Sequence, residues 1–288
     1  MILSMTGFAA VADELPQFAL TVELRAVNHR YLDVTLKLPD ELRVLEPALR
    51  ERIAAELKRG KVECRVALAR RDTASPALSF DAARVAELQK ADQAVRMLVP
   101  SATPLSVAEI LRWPGVVVEA SLPVDILATR VHALIDAALS ELAASRAREG
   151  DKLARLLLAR CGDIESQIAR VAPRIPALHA AFVEKLGARL REAGFDLNDE
   201  RMKQELHLFA TKIDVAEEVA RLSTHVAEVR RVLDVGGSAG KRLDFLAQEL
   251  HREANTLGSK SVDAELSKVA LELKVLIEQM REQVQNIE

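Results

Sequence analysis

Near the start of the chain, apolar and polar residues alternate at period two in two stretches. Phe18 to Arg25 reads FALTVELR and Tyr31 to Leu38 reads YLDVTLKL. In the second, Leu32, Val34, Leu36 and Leu38 fall on one pleat and Asp33, Thr35 and Lys37 on the other, the pattern of a half-buried strand. Val27-Asn28-His29-Arg30 makes a polar corner between them, and Pro39 stops the second strand. The period then changes: Leu42, Leu45, Leu49, Ile53 and Leu57 predict a helix over about 41–58, with Gly60 at its C-terminal boundary. Lys61 to Leu68 alternates again as a third strand. Residues 1–120 therefore read as an α+β module with a mainly antiparallel sheet.

After a Thr/Ser/Pro loop at 72–80, the pattern predicts a helix over 81–98, a linker at 100–106 and a short helix to Trp113. Pro114-Gly115 cuts that helix off, the Trp113 ring is expected to plug the turn, and Val116–Glu119 reads as a short strand. From Pro123 onward the chain is helical, with helices over 123–148, 150–170 and 174–193 broken at Gly150 and Pro173. Residues 121–198 form a helical connecting region and 199–288 a C-terminal helical module. That module opens with Asn198 as N-cap of a run to about Asp234, ended by Val235-Gly236-Gly237. Two further amphipathic helices follow, separated by a polar hinge at 255–260. There Gly258 is expected at positive φ and Ser261 is expected to cap the last helix. Val262, Leu266, Val269, Leu273, Leu276, Met280, Val284 and Ile287 form the apolar stripe of that last helix.

Composition narrows the function classes. Of the 288 residues, 49% are hydrophobic but only 3% aromatic, so the core is aliphatic and stacking platforms for bases are few. A net charge of −3 argues against indiscriminate binding of nucleic acid. The charge is uneven, however: residues 43–71 hold nine Arg or Lys against four acids. That segment is either a solvated face or an electrostatic footprint for a polyanion. Cys64 and Cys161 lie far apart with no CxxC pattern, which fits idle thiols in a reducing cytoplasm. No secretory leader or bilayer-spanning run is read, so a cytoplasmic protein without membrane association is expected. The Gly236–Lys241 segment lacks the spacing of a phosphate-binding P-loop.

Beside the apolar seam Val215, Val219, Leu222, Val226, Val229 and Leu233 runs a polar stripe of Asp214, Glu218, Arg221 and His225, with Glu217 next to it. Offsets of 4, 3 and 4 put the stripe on one helix face. It fits a salt-bridged solvent face, and it also fits ligands for a hard divalent ion or an acid/base pair. Glu249, Arg252 and Glu253 make a second stripe after residue 241. If the two helices pack antiparallel, the stripes meet and gather six acid or imidazole groups. Such a gathering calls for a cation, either a metal or Arg221, Arg252 and Lys260.

These segments also carry a resemblance. RLDFLAQELHREANTLGSKS, ELKVLIEQMREQVQNIE and IDVAEEVARLSTHV resemble the C-terminal region of the bacterial YicC/YloC family. SMTGF, RAVNHRYLD, RGKVEC and ILRWPGV resemble its N-terminal region. The resemblance implies a metal-dependent endoribonuclease assembled as a homo-oligomer, a hexamer by preference, with RNA as substrate and Mn or Mg as cofactor. On that reading Glu218, His225, Glu249 and Glu253 are catalytic, with Arg221 and Arg252 on the phosphate. Asp214, Glu217, Glu218 and Glu249 hold the metal. Arg25, Asn28, His29, Arg30, Arg59, Lys61, Asn255 and Lys260 contact RNA. A non-catalytic RNA-binding adaptor and a structural helical assembly protein are the competing readings.

Overall fold

The computed structural model describes every residue except 16–17, 71–78, 118–123 and 196–198. The N-terminal sheet contains β1 (Gly7–Glu14), β2 (Phe18–Val27) and β3 (Leu32–Lys37). A 3-10 turn at Asp40–Leu45 leads into α1 (Glu46–Glu56), and β4 (Gly60–Arg70) follows. The strand order is β1-β2-β4-β3. Both β1–β2 and β2–β4 are antiparallel, whereas β3–β4 is parallel, because α1 carries the chain back across the sheet between them. The sheet is thus mixed. β1 escapes the alternation argument: its sequence GFAAVADE buries only Ala9, and the ladder to β2 holds it.

One sheet face is apolar. Leu20, Val22, Leu24, Val62, Cys64 and Val66 pack on Leu49 and Ile53 of α1 and on the first half of α4 (Val124–Val171). Each such aliphatic side chain contributes about 1.5–3 kcal/mol when fully buried. At 48 residues, α4 is long enough to serve a second core. Its Leu153, Leu157, Cys161 and Ile164 join α7 (Ala216–Val235), α8 (Gly240–Lys260) and α9 (Ala264–Val284). The predicted seam on α7 is buried throughout, and so is most of the predicted stripe on α9; Val262 is exposed and Leu276 half-buried. The remaining helices are peripheral: α2 (Ala82–Leu98), α3 (Val107–Arg112), and a hairpin of α5 (Ile175–Glu192) and α6 (Glu200–Ile213).

Several expectations need correction. Gly150 does not break a helix. It lies inside α4, where a Cβ would collide with the carbonyl of Ile2, so glycine admits the N-terminal segment against the helix. Residues 255–260 are not a hinge: α8 runs through them to Lys260, Gly258 is helical, and the cap of α9 is Asp263, whose carboxylate accepts from Glu265 and Leu266 N–H. The run expected over 199–234 divides at Asp214 and Val215, between α6 and α7. Asn198 lies outside the described residues, and Asp199 caps α6. Trp113 is 49% exposed, so its ring is not the buried plug expected at this turn. Of the strand read at 116–119, Val117 makes a single bridge to Phe80, and residues 118–119 lie outside the described part.

The two ends of the sequence meet. Met5 N–H donates to the Asn286 carbonyl at 2.8 Å, Glu288 N–H to Leu3 at 3.0 Å, and Gly237 N–H to Met1 at 3.1 Å. Buried Arg146 on α4 donates through Nε to the Ser4 carbonyl at 2.6 Å and pairs with the Glu288 carboxylate. Gly236 (φ 71°) and Gly240 lie so close to Met1 and Ile287 that a side chain at either would strike backbone.

Candidate active site

α7 and α8 are joined by the short Gly236–Ala239 turn and share a buried seam through Leu222, Val226, Leu243, Leu246 and Leu250. This is the antiparallel packing that makes the two polar stripes meet. Three groups of charge line the solvent edge of the seam.

At the turn end, Glu228 accepts from Arg231 at 2.7 Å and also pairs with Arg242. The two guanidiniums, Arg231 first, hold its carboxyl down at about 2.

In the middle, one ring nitrogen of His225 and one carboxylate oxygen each from Glu249 and Glu253 lie within 4.8 Å of one another. Glu253 is 4% exposed, while His225 and Glu249 are half-buried. Glu249 and Glu253 are one turn apart on α8 and face His225 across the seam. Arg221, one turn from His225, reaches Glu253 at 3.5 Å and pairs with Glu217 on its own helix. Those carboxylates, Glu217 first, raise the pKa of its guanidinium. Glu249 makes no ion pair among the described residues.

At the far end, Lys260 Nζ donates to Glu218 Oε1 at 2.7 Å and to the Asp214 carbonyl at 3.1 Å. Glu218 is 5% exposed, and its Oε2 is buried without a hydrogen-bond partner among the described residues. The Asp214 carboxylate accepts from Ala216 N–H at 2.9 Å and so finishes the first turn of α7.

The predicted residues are therefore sorted. His225, Glu249 and Glu253 converge. Glu218, Glu217 and Asp214, expected as ligands, are engaged by Lys260, Arg221 and a backbone N–H instead. Arg252 is exposed on α8 and forms no ion pair among the described residues, and Asn255 donates through Nδ2 to His251 at 3.0 Å.

The trio fits a divalent cation in donor type, with one imidazole and two carboxylates. Ligands at about 2.0–2.2 Å from one ion lie at most about 4.4 Å apart. Side-chain rotations of under about 1 Å close the difference.

The N-terminal residues expected on RNA lie elsewhere. Asn28 donates to the Gln285 carbonyl at 2.7 Å and Arg59 to Ile287 at 3.2 Å, so both hold the C-terminal segment. His29 Nδ1 lies 2.9 Å from the Tyr31 carbonyl, and Arg30 stacks 5.3 Å above the Tyr31 ring. Arg25 and Lys61 project from the exposed sheet face. Between Arg25, Lys37 and Arg65 stands Glu63, whose carboxyl Lys37 at 2.6 Å holds below the usual range. The basic segment 43–71 is also partly paired internally: Arg50 with Glu46, and Arg52 with Glu56 and Asp136. This corner sits near the Gly240 end of α8. The trio lies roughly 15–20 Å further along that helix at 1.5 Å per residue.

The family model described as "Endoribonuclease YicC-like, N-terminal region" matches residues 2–155, and "Endoribonuclease YicC-like, C-terminal" matches residues 171–288, which hold the trio and Lys260. The "Probable endoribonuclease YicC" of Haemophilus influenzae is 38% identical over 288 residues, 100% of both chains. A protein of the same description from Clostridioides difficile is 29% identical over 293 residues, again 100% of both.

Proposed function

The chain belongs to the YicC-like endoribonuclease family, and from that membership we propose that it cuts RNA internally at the α7–α8 seam with the help of a divalent cation. The observation that carries the reading is the convergence of His225, Glu249 and Glu253 from two helices inside the C-terminal family match. These three side chains would hold Mn or Mg. A cation bound there supplies charge stabilisation at the phosphate and makes water easier to deprotonate. The single imidazole favours Mn of the two, since Mg prefers an all-oxygen shell.

The neighbouring residues have separate tasks. Arg252, exposed and without an ion pair among the described residues, can meet a phosphate oxygen. Arg221 keeps Glu253 compensated while no cation is bound, and turns toward substrate once the carboxylate is engaged elsewhere. The Lys260–Glu218 pair fixes the start of α7 against the end of α8, and thereby the spacing of the two stripes. Arg25, Arg30 and Lys61 would guide the strand from a distance, by long-range attraction that weakens with salt.

The protein works as a homo-oligomer, a hexamer on the family likeness, in the cytoplasm. Large apolar residues left in water, such as Met97, Leu98, Leu208 and Phe209, support association. Among the described residues no helix is long and apolar enough to cross a membrane.

The test incubates labelled RNA with purified protein in Mn²⁺, Mg²⁺ or EDTA. Cleavage is expected with metal only, reduced on the order of 100-fold or more in His225→Ala and Glu253→Gln. Binding without cleavage in every metal would make the protein an adaptor instead. Cleavage that survives EDTA would remove the metal from the reading.

A further inference from the structure

Phe245 stands in water, 58% exposed, on the helix that supplies two of the three converging groups. Other aromatic side chains are exposed too, Phe8, Phe80 and Phe209 among them, but Phe245 is the aromatic residue of α8. Its place is defined by the helix. Glu249 is four residues on and Arg252 seven, so all three lie along one stripe, with Lys241 one turn before. The residues of α8 that meet α7 at the polar edge, Arg242, Glu249, Glu253 and Lys260, centre roughly 60° round the helix from Phe245. The ring therefore stands beside the converging groups and on their solvent side. In order along α8 the stripe reads cation, ring, carboxylate, cation: Lys241, Phe245, Glu249, Arg252. Neither Lys241 nor Arg252 has an ion-pair partner among the described residues, so both are available to an anion.

We propose that Phe245 is a base-stacking subsite, which receives an unpaired nucleobase beside the cation site of His225, Glu249 and Glu253, while Lys241 and Arg252 take the flanking phosphates. The proposal rests on the reading of the α7–α8 seam as the cleavage site. Its chemistry selects a class of substrate. A base can lie flat on the ring only when it is free of its own stack and its pairing partner, so the site takes single-stranded or looped RNA and rejects the interior of a duplex. Every base has a π-face, so the subsite adds affinity with little sequence preference.

The experiment uses the full-length protein and a short single-stranded RNA with one fluorescent 2-aminopurine, titrated in EDTA so that binding is read without cleavage. Phe245→Ala, Phe245→Leu and Phe245→Trp are compared with wild type, with a paired RNA of the same length as control. Quenching of the fluorophore is expected with wild type and Phe245→Trp. It is expected to be lost in Phe245→Ala and Phe245→Leu, with affinity for the single strand down about 5- to 100-fold and the paired RNA unchanged. Equal affinity and equal quenching in all four proteins would overturn the proposal. So would a changed molecular mass of Phe245→Ala on size exclusion, which would assign the ring to a contact between subunits. If Phe245-dependent quenching persists in a protein that never cleaves RNA, the nuclease reading fails and the subsite stands. If cleavage is normal and quenching absent, the reverse holds.

Discussion

At Lys260 one ammonium meets both the Glu218 carboxylate and the Asp214 carbonyl, while the second Glu218 oxygen is shut away from water without a partner among the described residues. Removing the cation leaves a buried charge uncompensated, which typically costs about 3–5 kcal/mol. Lys260→Met is expected to lose stability of that order in urea unfolding at pH 7, and adding Glu218→Gln to recover part of it; an unchanged midpoint in Lys260→Met would show the pair to be inert. Glu228 makes a different prediction. Its carboxyl titrates at about 2 in the folded chain, against 4.5 ordinarily, because Arg231 and Arg242 favour the charged form. A depressed folded value means stability that is present above about 4.5 and lost as pH falls toward 2. The melting temperature of wild type should therefore exceed that of Glu228→Gln near pH 7, and the gap should close between pH 4.5 and 2. Much of the site was legible at this scale: offsets of 3 and 4 put Glu218, Arg221 and His225 on one face, and two helices were expected to meet there. Which acid faces which cation was not, because spacing along one helix says nothing about the height at which its neighbour packs. Lys260 reaches Glu218 and Arg221 reaches Glu253 only because the Gly236–Ala239 turn sets that height.

Two helix glycines contrast at the level of elements. Both Gly150 and Gly258 read as breaks in the sequence, since glycine in a helix costs about 1 kcal/mol relative to alanine. In α4 the residue is required: a Cβ at Gly150 meets the Ile2 carbonyl, and Gly150→Ala should lower stability by about 1–3 kcal/mol through displaced backbone. In α8, a Cβ at Gly258 would lie 3.5 Å from the Ala270 Cβ, an ordinary contact. Gly258→Ala should thus stabilise by about 0.5–1 kcal/mol. Thermal unfolding of the two variants should move in opposite directions; a fall in both would show that Gly258 is required as well. Elements with strong periodicity, the α7 seam and the alternating strands β2, β3 and β4, were legible. The division at Asp214 was not, because a carboxylate turned onto Ala216 N–H ends one helix and starts the next without glycine or proline.

For the whole molecule, α4 is the organising feature. It closes the sheet core with Leu127, Val131, Ile135 and Leu142, then enters the helical core with Leu153, Leu157 and Ile164. A 31.6 kDa protomer with Met97 at 86% and Leu98 at 84% exposed leaves apolar surface that another copy can cover. Light scattering after size exclusion should give about six times the protomer mass, and a monomeric mass at micromolar concentration would refute the assembly. The sequence shows α2 as a helix and α6 as part of one longer helical run to about Asp234. That their apolar residues would stay in water was not legible, because a stripe at helical spacing does not reveal whether its cover comes from the same chain. The joined ends carry a last consequence, for synthesis. Leu3 and Met5 are more than 280 residues from their hydrogen-bond partners Glu288 and Asn286, so these bonds form only after the whole intervening stretch has been made. Until Glu288 has been made, Arg146 lacks its carboxylate, although β1 can already pair with β2. The nascent chain can build its sheet early, but this clasp closes only once residues 286–288 are available, so a polypeptide stalled before them is one that quality-control proteases can still open.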